Sequence, residues 1–74
     1  MTHQNLLTLI GKALYGDQWQ SDMARALDIN PRTVRYWVAK GEVPASVWPE
    51  LEQLCLDRMP KLLEAIASIK ALRP

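Results

Sequence analysis

Apolar positions recur along the chain at helical spacing, and the breaks in the pattern fall on residues that cap or stop helices. Leu6, Leu7, Ile10, Ala13 and Leu14 form one stripe of a first helix, which Thr2 can cap and which runs to about Tyr15. Gly11 inside it costs about 1 kcal/mol relative to Ala, and admits a close neighbouring helix. Gly16 ends it as a left-handed cap. Asp17 followed by Gln20 resembles a capping box, so a second helix starts near Gln18 or Trp19, with Met23, Ala24 and Leu27 turned inward. Asn30 and Pro31 write the start of a third helix, a good N-cap followed by a residue whose missing N–H is harmless at the first position.

That third helix is predicted over residues 31–39, stopped by Gly41. Val34, Trp37 and Val38 stand at i, i+3 and i+4 and make its buried stripe. A fourth helix begins between Pro44 and Pro49, because Pro49 is tolerated only in a first turn. Trp48, Leu51, Cys55 and Met59 share its face, with Leu54 beside it. At Pro60 the helix either kinks or gives way to a fifth helix capped by Asp57. The last segment carries Leu62, Leu63, Ile66, Ile69 and Leu72 along one side. The fold class is all-α: one domain over residues 1–74 with four or five short helices, residues 45–74 forming its C-terminal part.

Composition narrows the function classes. A chain of 74 residues holds one small core, for which the three Trp supply large pieces. Net charge is only +1, so bulk attraction to a polyanion is weak. Locally the balance differs: residues 31–41 carry three cations and no acid, whereas residues 45–74 carry four of each sign. The single cysteine, Cys55, suits a reducing cytoplasm, and with only a distant His3 it makes no metal site; it reads as a small core residue. His3 reads as a surface residue. No membrane span or signal peptide is legible. Gly-rich phosphate loops, nucleophile elbows and metal-ligand spacings are missing too, so the reading is not an enzyme, with no cofactor and no evident small-molecule ligand.

Residues 20–40, QSDMARALDINPRTVRYWVAK, carry the functional signal. A small residue, Ala24, stands where a second helix must cross closely. Asp28 supplies a left-handed corner and Ile29 an inward apolar residue, while Val34 and Trp37 plug back into the core. The outer side of the third helix then presents Arg32, Arg35, Tyr36, Ala39 and Lys40. Nine helical residues extend ~14 Å, comparable to a major groove ~12 Å wide.

This stretch, with the Pro that follows at Pro44, resembles the lambdoid phage repressor and Cro group of helix-turn-helix proteins, and extends loosely to flanking helices at Leu6 and Leu54. It departs at the corner, where Asp28 stands in place of the usual Gly, and at Pro31, where a Gln is common. The resemblance implies a small phage or bacterial regulator that binds double-stranded DNA as a homodimer and represses transcription. By position, Gln20 is implied to hold a phosphate, with Thr33 and Lys40 as further phosphate contacts. Arg32, Arg35, Tyr36 and Pro31 are implied to face bases, Pro31 through apolar contact alone. Each Arg bidentate to guanine contributes about 1–3 kcal/mol of discrimination.

Bland readings stand beside these. An arginine-bearing helix face is commonly only solvated. Tyr36 can lie across the second helix, and Arg25 can pair with Asp22. The C-terminal stripe of Leu62, Leu63, Ile66, Ile69 and Leu72 is expected to build a homodimer interface with part of the fourth helix; the competing expectation folds it back over the first helix of a monomer. The competing function is a protein-interaction module, antitoxin-like or an adaptor, that reuses the same fold.

Overall fold

A computed structural model describes residues 2–72 of the chain. They form four helices and no strand: α1 His3–Tyr15, α2 Trp19–Leu27, α3 Pro31–Lys40 and α4 Val47–Leu72. The Thr2 hydroxyl accepts the Asn5 N–H at 3.1 Å and starts α1. Gly16 ends it, but with φ 84° and ψ −157° rather than in the left-handed helical conformation expected. That region is open essentially to glycine alone.

The capping box expected from Asp17 and Gln20 does not form. Gln18 precedes α2 with no side-chain cap, which puts Asp17 one residue too early to reach the first-turn amides. Trp19 fixes the start instead. Its ring lies against Gly11, so close that a Cβ at that position would overlap the indole. Gly11 therefore admits a neighbour as expected, and the neighbour is one side chain of α2.

Leu7, Met23, Ala24, Val34 and Leu51 are fully buried, ringed by Trp19, Trp37, Val43 and Val47. Val43 and Val47 were not among the expected core positions. Val43 lies in the short connection and Val47 opens α4, where the chain turns around Pro44 and gives no periodicity from which to read an inward face. Trp48 is only half-buried, on the rim rather than in the core. His3 covers it edge-on, ring centroids 5.4 Å apart at 66°. Cys55 is also half-buried.

At the other end of α1, Arg58 of α4 sits 5.2 Å over the Tyr15 ring and donates to the Leu14 carbonyl at 3.0 Å. The contacts His3–Trp48 and Tyr15–Arg58 make α1 and the first turns of α4 parallel neighbours. Gln4 Nε2 donates to the Val38 carbonyl at 2.9 Å and ties α1 to the last turn of α3.

Beyond Arg58 the body stops and α4 continues. It passes Pro60 as one helix, so no fifth helix begins there. Asp57, the alternative cap, instead accepts from Gln53 Nε2 at 2.8 Å within the helix. Proline removes the amide that would bond the Leu56 carbonyl; water reaches that turn, since every residue from 56 to 72 is exposed. The fold-back over α1 is not adopted. The molecule measures 51 × 24 × 21 Å, its long dimension set by this projecting arm.

Candidate nucleic-acid interface

The corner between α2 and α3 is built as its residues require. Asp28 adopts φ 57° and ψ 47°, the left-handed conformation that most side chains avoid at a cost of about 1–2 kcal/mol. Its N–H reaches the Arg25 carbonyl at 3.2 Å, and the Ile29 N–H reaches Ala24 at 2.9 Å. Ile29 packs against the core. Asn30 then caps α3, its side-chain oxygen accepting the Arg32 N–H at 2.9 Å, with Pro31 in the first turn. Ala24, wholly buried, lets the two helices approach.

Val34 and Trp37 hold α3 from beneath, and Gly41 ends it in the left-handed conformation, its N–H on the Trp37 carbonyl at 2.8 Å. The helix thus includes Lys40, one residue more than expected. On the far side Arg32, Arg35, Tyr36, Ala39 and Lys40 are exposed, while Pro31 and Thr33 are half-buried. No carboxylate pairs with Arg32, Arg35 or Lys40: the one ion pair among the described residues joins Arg25 and Asp22 at 3.1 Å, as expected for Arg25. Such an exposed pair contributes little to stability.

Arg35 shares a surface cleft with Asp17, Gln18, Gln20 and Ser21. The uncapped first turn of α2 opens there, so its free amides join Gln20 and Arg35 around one hollow. Asp17 on the rim opposes an anion. The lost capping box therefore has a consequence, since a capping side chain would have occupied those amides.

Tyr36 is exposed on the outer face of α3. Its Oη donates to Glu42 Oε2 at 3.4 Å, beside the end of α3. Glu42 was missed because it lies in the connection after Gly41; its place one helical turn and a corner beyond Tyr36 was the only signal. Leu62, Leu63, Ile66, Ile69 and Leu72 come together on the projecting arm, away from the body of the domain.

No cluster of three or more metal-ligating side chains exists among the described residues. None of the helices described is long and apolar enough to cross a membrane. No family model, curated protein or solved structure matches the chain.

Proposed function

We propose that this chain is a sequence-specific regulator that binds double-stranded DNA, reading the major groove with α3 and repressing transcription by occluding a promoter. The observation that carries this is the outer face of α3: three cations without acidic partners, on a helix braced from below by Val34 and Trp37 and set by the Asp28 corner. In a nearly neutral chain that face is the local concentration of positive charge, so binding depends on placement more than on bulk attraction. Arg32 and Arg35 read guanine edges; Gln20, Thr33, Lys40 and the open first turn of α2 contact phosphates. Pro31 adds an apolar contact at the start of the face and Tyr36 a contact at its middle. One α3 covers about half of an operator, so a second copy of the chain is needed on an adjacent half-site.

Selection from randomised duplex DNA with the purified protein tests this. An inverted repeat should be enriched. Arg32→Ala and Arg35→Ala should each relax one base-pair position by about 1–3 kcal/mol, while Lys40→Ala should weaken all sequences alike and shallow the salt dependence by about one unit. No enrichment, or full affinity of both arginine variants for the selected site, refutes base reading. The second reading, a protein-interaction module, is favoured by one feature, the exposed apolar arm of α4.

A further inference from the structure

The arm of α4 leaves its large apolar residues in water. Leu62, Leu63, Ile66 and Ile69 are each 48–62% exposed and Leu72 is 84% exposed, with Leu56 and Met59 behind them. Their spacing is that of a coiled-coil seam: Cys55, Met59, Leu62, Ile66 and Ile69 alternate in steps of four and three. Leu63 and Leu72 widen the seam on its two sides. Lys61, Glu64 and Ser68 lie on the opposite side of the helix. At roughly 100 Å² left bare per large side chain, one arm offers on the order of 600 Å². That reaches the upper end of the largest patch a monomer ordinarily carries. Two such arms, covering each other's apolar side chains completely, would bury about 1,200 Å², the lower bound for a stable specific interface.

We propose that the arm pairs antiparallel with the arm of a second copy of this chain, Met59 opposite the partner's Ile69 and Leu62 opposite the partner's Ile66. The seam decides the direction. In a parallel pair each layer meets itself, so Ile would stand at both kinds of core position, a pattern that disfavours two strands. The next layer beyond Cys55 would also set Glu52 against its own copy. The antiparallel pair alternates Met with Ile and Leu with Ile, and opposes the two helix dipoles. Lys70 then lies over the partner's Leu56 with its ammonium in water. The pairing concerns the arm alone and holds whether or not the chain binds DNA.

Sedimentation and disulfide trapping without DNA test it. The wild-type chain should sediment at twice its mass, and Leu62→Glu with Ile66→Glu should halve that mass. Because both sites are exposed in the single chain, the helical and tryptophan circular dichroism of the body should persist. Ile69→Glu serves as a second variant should the first lose that signal. In a Cys55→Ser background, chains carrying Met59→Cys mixed with chains carrying Ile69→Cys should form the mixed disulfide. Either variant alone should not, since like positions lie ~15 Å apart along an antiparallel pair, beyond disulfide reach. A monomeric wild type, or a dimer that survives the glutamates, overturns the pairing; like-with-like disulfides overturn its direction.

Discussion

Tyr36 Oη and Glu42 Oε2 stand 3.4 Å apart, which couples the only phenol on the outer face of α3 to the first carboxylate after it. The contact is long for an O–H···O bond and exposed, so it contributes little to folding. Its effect is electrostatic: a negative charge sits at the edge of an otherwise cationic face. Glu42→Gln keeps an acceptor for Tyr36 and removes that charge. DNA affinity should rise about three-fold near 0.1 M salt and the gain should fade at higher salt, as screening shortens the reach of the lost repulsion. Titration at two ionic strengths reads this. A salt-independent gain would instead indicate a direct contact by the new amide.

Asp28 holds the corner in a conformation that glycine reaches without penalty. Its side chain makes no hydrogen bond or ion pair among the described residues. Asp28→Gly should therefore stabilise the domain, by up to about 1 kcal/mol after the larger backbone entropy of glycine in the unfolded chain is deducted. For a domain of this size that corresponds to a rise of roughly 4–8 °C in melting temperature. Thermal unfolding followed by circular dichroism measures it, and a fall would mean that the carboxylate stabilises the corner in some other way.

Gly11→Ala runs against helix propensity. In an open helix the change gains about 1 kcal/mol. Here the new methyl meets the Trp19 ring, which is itself 3% exposed and enclosed by the core. Displacing that ring should cost more than the propensity gain, a net loss of about 1–3 kcal/mol, as for other overpacked cores. Urea unfolding of the variant should show a lower midpoint with an unchanged slope.

Much of this arrangement was legible because single residues dictate local backbone. Thr2, Asn30-Pro31, Gly41 and the Asp28 corner each fixed a helix end where periodicity alone would have left it vague. The buried stripe of α3 followed from spacing, and with it the outward placement of Arg32 and Arg35. What escaped depended on contacts between distant segments. Val43 and Val47 are buried as members of one cluster with residues of α1, α2, α3 and α4. His3 meets Trp48 across 45 positions of sequence. Pro60 read as a possible break because its cost is judged against a buried helix; on a fully exposed arm the lost amide bond is replaced by water. The stripe from Leu62 onward was legible as apolar, but its exposure on a projecting arm was not.

Taken together, the antiparallel pairing proposed for the arms and the DNA reading proposed for α3 imply a distance. Opposing Met59 to Ile69 centres the pair near residue 64, while the body flanks residues 47–58 of α4. At 1.5 Å per residue the two bodies then lie ~34 Å apart along the arms, one helical turn of B-DNA. Half-sites with centres about 10–11 base pairs apart should bind about 100-fold more tightly than an isolated half-site, because the second contact becomes intramolecular. Inserting five base pairs turns the second half-site to the opposite side of the duplex and should abolish the gain. Leu62→Glu with Ile66→Glu should leave half-site affinity unchanged and erase the dependence on spacing. Band-shift titration across a spacing series measures all three. An optimum at a different spacing, with the mixed disulfide intact, would retain the arm pairing and discard this placement of α3 on DNA.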